Sequence, residues 1–374
     1  MGRHLNYHFL IVSLLLLVLG LFFLATLSAS LSLQFFGNTN YYLFHQIIST
    51  FIGFILCIII FKTPLHFLKK VAPVLLLINL LLLVAVFLPL IGIKLWGASR
   101  WISIGKNTLQ PSEFLKITAI LYLSSWLSNK FPGDSKKIWI FSLKKGYNNF
   151  TKIFLPFLIF LSVIATLLYL QRDISTLGII VVTLIVIYFV ALTPIWHTML
   201  LFLLSSISTL VFTISEPYRV QRFLTLFNPE SDPLGRGLQI KQSLIAIGSG
   251  GIFGKGFGMS NQKFGFLPQA MSDSVFAILG EETGIIGTSI LVIMFLLFLY
   301  FGFKIANSTT DKFSKLTAVG ISTWITFQAF VNIASAVGIF PLSGIPLPFF
   351  SYGGSHLIAE MIGVALLLKI SKNR

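Results

Sequence analysis

The residues best suited to do chemistry lie between positions 267 and 287, where a long polar loop meets a very apolar stretch. Asp273 stands at that junction, and Glu281 and Glu282 follow eight and nine residues later. The whole sequence has only 11 Asp and Glu residues, so three in one window are a clear concentration. A carboxylate at the edge of a membrane helix is costly to keep, which makes Asp273 a candidate catalytic base.

A second group of charges opens another apolar stretch. Glu113 and Lys116 are three residues apart, so in a helix that begins at Pro111 they share one face and can form an ion pair. Such a pair either fixes helix packing or lines a substrate path, and charged pairs inside membrane helices more often do the latter.

A membrane-embedded fold must position these charges. The sequence is 56% hydrophobic and 10% charged, with a mean hydropathy of +0.91, which excludes a water-soluble protein because large apolar surfaces would face water. We predict an all-α polytopic membrane protein, a single domain over residues 1–374 with about ten transmembrane helices. The predicted spans cover residues 9–33, 43–61, 71–91, 112–128, 152–170, 174–192, 195–214, 273–303, 314–338 and 350–370.

The distribution of Lys and Arg predicts the orientation of these spans. An even number of spans puts both termini on one side, and that side carries 16 Lys and Arg residues against four in the short opposite loops. Both termini are therefore predicted to be cytoplasmic. The net charge of +16 then reflects orientation and anionic lipid, and no nucleic acid partner is expected. A large outer loop, about 215–272, joins spans 7 and 8, with a short amphipathic helix expected at 239–247.

On the predicted outer side, Asp273 is accompanied by cations. A base beside cations at the depth of lipid headgroups suits a lipid-linked phosphate or pyrophosphate. The acid accepts a proton from a hydroxyl nucleophile, and the cations, with or without a divalent cation such as Mg²⁺ or Mn²⁺, stabilise charge on the leaving phosphate. The residues alone leave open whether the chain transfers a group from such a lipid or moves the lipid across the membrane. The cations are Arg100, Lys116, Arg219, Arg222, Lys255 and Lys263.

Four further features have a less specific chemistry. The glycine run at 248–258 lacks phosphate-loop spacing and indicates close approach of the backbone to a ligand or another loop. Residues 351–355 interrupt a helix start and could offer backbone donors to an anion. Arg172 and Asp173 occupy a short outer turn, either solvated or part of the site. Glu360 lies inside the last span, where it must be protonated, paired or beside water.

Seven stretches, at 97–105, 110–116, 171–176, 228–235, 242–256, 267–287 and 346–355, follow one another in a recognisable order. Together they resemble the SEDS (shape, elongation, division and sporulation) family, which includes FtsW and RodA. The resemblance covers the chain from about residue 90 to its end and is highly specific.

This resemblance implies a peptidoglycan glycosyltransferase that polymerises lipid II at the outer face of the bacterial cytoplasmic (inner) membrane. A class B penicillin-binding protein would supply the crosslinks, and other divisome or elongasome membrane proteins would be partners. Asp273 matches the essential carboxylate of the family. It would deprotonate the 4-hydroxyl of the acceptor GlcNAc, which attacks C1 of the donor MurNAc with inversion and expels undecaprenyl pyrophosphate.

The resemblance also bears on the substrate-binding residues. Arg100, Glu113 and Lys116 match family positions that line the central cavity. Arg219, Lys255 and Ser355 are predicted to bind the same substrate.

The branch and the departures from the family pattern are informative. Stretches at 216–219, 260–263 and 327–332 resemble FtsW, whereas 228–233 and 248–251 look more like RodA, and we expect the division branch.

The family's Leu-Pro-Glu-x-His-Thr-Asp-Phe reads here Leu267-Pro-Gln-Ala-Met-Ser-Asp273-Ser, and its Gln-Pro-Asp-Leu-Gly-Thr reads Gln171-Arg-Asp-Ile-Ser-Thr. Because Gln269, Met271 and Ser274 replace an acid, a histidine and an aromatic, Asp273 is expected to have fewer supporting neighbours.

Two alternative functions are a lipid II flippase and a non-enzymatic division scaffold. A transporter should carry its charges near the bilayer midplane, whereas here most lie near the outer end, with Glu360 an exception. A scaffold has no need of Asp273 or of the Glu113–Lys116 pair.

Overall fold

The structure is a computed structural model that describes residues 5–95, 98–105, 107–130, 150–215, 217–233 and 235–373. Within these ranges it has twelve α-helices and one small sheet. The helices are α1 (Tyr7–Phe36), α2 (Tyr41–Lys62), α3 (Leu65–Ala85), α4 (Pro111–Lys130), α5 (Leu155–Leu170), α6 (Ile174–Val190), α7 (Ile195–Ile214), α8 (Pro217–Phe227), α9 (Arg236–Gly250), α10 (Val275–Asn307), α11 (Lys312–Ala336) and α12 (Gly354–Lys372). The strands are β1 (Gly92–Leu95), β2 (Ala98–Ile104) and β3 (Asn107–Leu109).

The predicted membrane spans are confirmed as helices. Each of the ten coincides with one of α1–α7 or α10–α12, and a π-helical turn at Phe150–Phe154 leads into α5. Eight of them, with that turn counted as part of the fifth, are long and apolar enough to cross a membrane. Of the other two, α6 is apolar but only 17 residues long, and α4 is more polar because it carries Glu113, Lys116 and four serines. The fold is that of a multi-pass membrane protein.

The polar helix α4 lies at the centre of the bundle. It contacts α3, α6, α11 and α12, and α11 also packs against α6 and α10. Most side chains of α4 and α11 are buried. The peripheral helices α2 and α7 instead expose large apolar side chains such as Phe51 and Phe202. The bundle therefore keeps polar groups inside and turns apolar side chains outward, as a lipid environment requires.

The expectation of a purely helical fold omits one element. Residues 92–109 form a three-stranded antiparallel sheet in the order β1-β2-β3. Ile93 pairs with Trp101, and Ser103 pairs with Thr108. The sheet leads directly into α4, so Arg100 on β2 is carried on ordered backbone beside the central helix.

The loop between α7 and α10 is largely ordered. The helix predicted at 239–247 is confirmed as part of α9, whereas α8 was not predicted. After α9 the chain turns back along α10, which is interrupted at Gly284. There φ is 65° and ψ is −163°, a conformation that only glycine adopts without strain.

Candidate functional site

Asp273 lies in the loop immediately before α10, where it is half-buried. Its Oδ1 accepts a hydrogen bond from Ser272 Oγ at 2.7 Å, and its Oδ2 faces Gln239 Nε2 of α9 at 3.5 Å. The Gln239 amide also donates to Ser274 Oγ at 2.9 Å, and Ser274 Oγ donates to the Pro268 carbonyl at 3.0 Å. Neutral hydroxyl and amide groups therefore surround a carboxylate that remains partly open to solvent.

This setting changes the acidity of Asp273. Burial raises the pKa of its carboxyl group, and the hydrogen bonds from Ser272 and Gln239 and the charge of Arg222 lower that pKa in part. The net effect is a raised pKa. A general base works best when its pKa approaches the working pH, so this shift favours proton acceptance near neutrality.

The backbone of the Asp273 loop is held from two other elements. Asn332 of α11 donates from Nδ2 to the Asp273 carbonyl at 3.0 Å. The Tyr352 amide donates to the Met271 carbonyl at 2.8 Å, and Ser351 Oγ donates to the Ser272 carbonyl. The family's acid, histidine and aromatic are absent here, and these neutral groups hold the loop.

A second cluster forms around Asp173. The carboxylate is only 2% exposed and lies 3.7 Å from Arg100, while Ser112 donates to it at 3.1 Å. Arg100 also donates to the carbonyls of residues 171 and 172. The solvated-turn interpretation is therefore wrong for Asp173, because β2 and the start of α4 close over it. It holds for the exposed Arg172.

Ser355 joins this cluster through Gln110. The Gln110 backbone N–H donates to Ser355 Oγ at 3.1 Å, and the Gln110 side-chain Nε2 lies 3.5 Å from Asp173 Oδ2. Ser355 lies in the first turn of α12, and the N–H of the preceding Gly353 is taken by Gln46 Oε1 at 3.1 Å. The structure thus brings Arg100 and Ser355 to one cluster, whose charges are those of Arg100 and Asp173.

The Glu113–Lys116 ion pair is confirmed, with 2.7 Å between the carboxylate and the ammonium. Both side chains are buried, and Lys116 Nζ also donates to Gln328 Oε1 at 2.8 Å. Glu360, whose environment the sequence left open, accepts a hydrogen bond from the Phe349 amide at 2.9 Å.

Glu281 and Glu282 bind the glycine-rich segment instead of facing Asp273. Lys255 Nζ lies 2.7 Å from Glu281, and Lys263 Nζ lies 3.3 Å from Glu282. A Cβ on Gly254, where φ is 80°, would overlap the Glu282 carbonyl. The predicted close backbone approach in this segment is therefore confirmed, but its partner is the helix α10 and not a ligand or another loop. Lys255, predicted to bind substrate, is held by Glu281 with its side chain 34% exposed.

The contacts described above do not test two predictions, the role of Arg219 and the binding of a divalent cation. Arg219 belongs to α8, but its side chain lies outside the described residues, so its role stays a prediction. Within the described residues no three His, Cys, Asp or Glu side chains form a group that could hold a metal ion. Mg²⁺ is commonly bound by one or two carboxylates together with substrate phosphates. A divalent cation at Asp273 would therefore depend on the substrate, and it too stays a prediction.

The family comparison agrees with this architecture. A model of the FtsW/RodA/SpoVE cell cycle proteins matches residues 6–374. The chain belongs to this family. It is 36% identical over 362 residues to stage V sporulation protein E of Bacillus subtilis (strain 168), covering 97% of this chain and 95% of that protein. It is also 36% identical over 357 residues to the probable peptidoglycan glycosyltransferase FtsW of Buchnera aphidicola subsp. Acyrthosiphon pisum, covering 94% and 85%.

Solved structures share the fold over almost the whole chain. One belongs to a peptidoglycan synthase complex that coordinates polymerisation and crosslinking, with a TM-score of 0.74, 25% identity, and 99% and 98% of the two chains covered. The rod shape determining protein RodA of Thermus thermophilus gives a TM-score of 0.69 at 24% identity, covering 99% and 97%. The resemblance inferred from the motifs is thereby confirmed.

Several polar residues that build the site were not predicted from the sequence. Gln239, Gln328, Asn332 and Ser351 are buried and hydrogen-bonded to the Asp273 loop or to its supports. Gln328 and Asn332 lie in the stretch 327–332, whose pattern indicates only the FtsW branch. An amide inside a membrane helix needs a partner, and that requirement was the available signal.

Proposed function

We propose that this family member is a peptidoglycan glycosyltransferase that polymerises lipid II, with Asp273 as the general base. The observation that carries the proposal is the setting of Asp273, a half-buried carboxylate with neutral donors and a raised pKa beside the start of a membrane helix. The names of the FtsW relatives support the same activity. The proposed location is the outer face of the bacterial inner membrane, in line with the distribution of Lys and Arg.

The proposed reaction needs one proton acceptor and one leaving-group site. Asp273 takes the proton from the 4-hydroxyl of the acceptor GlcNAc as that oxygen attacks C1 of the donor MurNAc. The C1–oxygen bond to undecaprenyl pyrophosphate breaks, with inversion at C1. Pre-organised donors around the departing pyrophosphate stabilise its developing charge.

Arg100 is the cation that we assign to that second task. Its side chain is 30% exposed, and Asp173 and two backbone carbonyls fix its orientation. A guanidinium with five N–H donors can keep these contacts and still bind a phosphate. Lys116, by contrast, has a side chain only 2% exposed. We therefore assign the pyrophosphate to the Arg100 side of the site, with Lys255 and Ser355 as further candidates.

The proposed partner is a class B penicillin-binding protein. The match to a chain of a synthase complex that coordinates polymerisation and crosslinking supports such an assembly. Relatives of this chain include FtsW proteins and a stage V sporulation protein, which favours the division branch over elongation.

The test is polymerisation of purified lipid II by the purified chain, with and without the partner. Asp273→Ala is expected to abolish glycan strands. Glu230→Ala, which removes an acid whose side chain is 80% exposed, is the matched control and should polymerise like the parent. Each reaction is run with Mg²⁺, with Mn²⁺ and with a chelator, which tests the predicted divalent cation.

Unimpaired polymerisation by Asp273→Ala would refute the catalytic role. If the parent chain moved lipid II across the bilayer without making polymer, the flippase would be favoured. If it showed neither polymerisation nor lipid II movement, the scaffold would be favoured.

A further inference from the structure

The buried Glu113–Lys116 pair contacts other buried side chains of the bundle. The Lys116 side chain is 2% exposed, and its ammonium contacts Glu113 at 2.7 Å and Gln328 at 2.8 Å. It also lies over the Trp324 ring, 5.1 Å from the ring centre. The pair therefore acts on its protein neighbours.

Gln328 carries the contact onward. Its Oε1 accepts hydrogen bonds from Lys116 Nζ and from Trp324 Nε1, the latter at 2.9 Å. Two donors at the oxygen fix which way the amide points, so Nε2 must face the other side. There it donates to the Pro346 carbonyl at 3.1 Å.

Pro346 belongs to residues 345–352, here called the support segment. Glu360 accepts the Phe349 amide at 2.9 Å and so stabilises that residue at a φ of 66°, which is unfavourable outside glycine. Asn332 donates to the Ile345 carbonyl at 2.8 Å. The segment is thus held from α11 and from α12 by buried polar groups.

The other side of the support segment contacts the Asp273 loop. Ser351 and Tyr352 donate to the carbonyls of residues 272 and 271, and Asn332 reaches the Asp273 carbonyl as well as the segment. A continuous path of hydrogen bonds therefore runs from the Glu113–Lys116 pair through Gln328 and the support segment to the loop.

We propose that Gln328 is a positioning residue that couples the buried Glu113–Lys116 pair, through the support segment, to the loop that carries Asp273. Its effect on the reaction rests on the proposed function, whereas its effect on the loop does not. A base displaced by about 1 Å can lose roughly a hundredfold in rate, so a small shift of this loop is enough to impair catalysis.

Gln328→Glu tests the hydrogen bond from Gln328 to the Pro346 carbonyl. The new carboxylate still accepts hydrogen bonds from Lys116 and Trp324, but it has no N–H group to donate to that carbonyl. We expect hydrogen exchange at residues 268–274 to become faster. We also expect kcat for lipid II to fall roughly 10- to 100-fold, with KM within about twofold of the parent. Ser322→Ala is the control, because this buried hydroxyl on the same helix bonds only the Ala318 carbonyl in the described structure. It should change neither quantity.

Asn332→Asp supplies a second test if Gln328→Glu folds poorly. It removes the N–H groups that reach the Ile345 and Asp273 carbonyls, and the same two changes are expected. Since both variants act on the same loop and its support segment, their combined loss of kcat should be smaller than the product of the single losses.

Three outcomes would overturn the inference. The first is hydrogen exchange at residues 268–274 as slow as in the parent, measured in Gln328→Glu or, if that variant does not fold, in Asn332→Asp. The second is a raised KM with parental kcat, which would indicate direct substrate binding. The third is a loss of kcat in the double variant equal to the product of the two single losses. If Asp273→Ala stays active, the proposed function fails, and the exchange measurement still decides whether the loop is coupled.

Discussion

Asp273 and the pair Glu281 and Glu282 lie within ten residues of one another, yet their surroundings differ. Asp273 faces a hydroxyl and an amide and is half-buried. The two glutamates are completely or almost completely buried, and each accepts hydrogen bonds from a lysine and from backbone N–H groups within residues 258–262. Acids saturated by their own fold stabilise that fold, whereas an acid with neutral hydrogen-bond donors and an exposed side can accept a proton.

The largest expected effect is on Asp273. Asp273→Asn keeps the shape of the side chain and removes its basicity, so polymerisation should fall about 10²- to 10⁴-fold, the usual contribution of a general base. The thermal midpoint should stay close to that of the parent. Single-turnover assays with lipid II and a melting curve in the same detergent check both. A loss of activity that follows a loss of folded protein would contradict the comparison.

The next effect is on stability. Glu282→Gln removes the charge beside Lys263, which is 4% exposed, and leaves a buried cation without its counter-ion. Breaking a buried pair this way should cost about 3 kcal/mol in the free energy of unfolding. Denaturant or thermal unfolding in detergent measures it. Glu230→Gln, in an exposed pair with Lys241, is the control and should cost less than about 1 kcal/mol.

If Glu282→Gln lost activity per folded molecule without any loss of stability, Glu282 would belong to the catalytic site and the contrast would fail.

A smaller effect concerns pH. The hydrogen bond from Gln239 lowers the pKa of Asp273, so Gln239→Leu should raise that pKa further. The base must be ionised to accept a proton, so activity is lost as pH falls through its pKa. The acid limb of kcat/KM should therefore move to higher pH in the variant, with the greatest loss at acidic pH. A pH profile checks it, and an equal loss at every pH would indicate a purely structural effect.

The smallest effect is a difference in unfolding free energy between alanine substitutions at two glycines of the glycine run at 248–258. Gly254 and Gly256 both have positive φ, 80° and 104°. An added Cβ would overlap the Glu282 carbonyl at Gly254 but would meet only Met259, at 3.6 Å, at Gly256. Gly256→Ala should cost about 1–2 kcal/mol through backbone strain alone. Gly254→Ala should cost more, and equal losses in unfolding free energy would show that the contact with α10 is unimportant.

Features that depend on short-range patterns were predictable. The ten helices follow from long, mostly apolar runs, and the Glu113–Lys116 pair follows from a spacing of three in a helix. The sheet at 92–109 was missed because its strands are short and contain many polar residues, so their alternation is weak.

The sequence by itself determined the membrane class, the positions of ten helices and Asp273 as the candidate base, because hydropathy and the placement of charges act locally along the chain. Only the tertiary structure decided that Asp173 is buried, that Glu281 and Glu282 bind the glycine-rich segment, and that Gln328 reaches the support of the Asp273 loop. Lys116 and Gln328 are 212 residues apart, and Ser351 and Ser272 are 79 apart. Contacts at such separations depend on how helices pack, which no local pattern specifies.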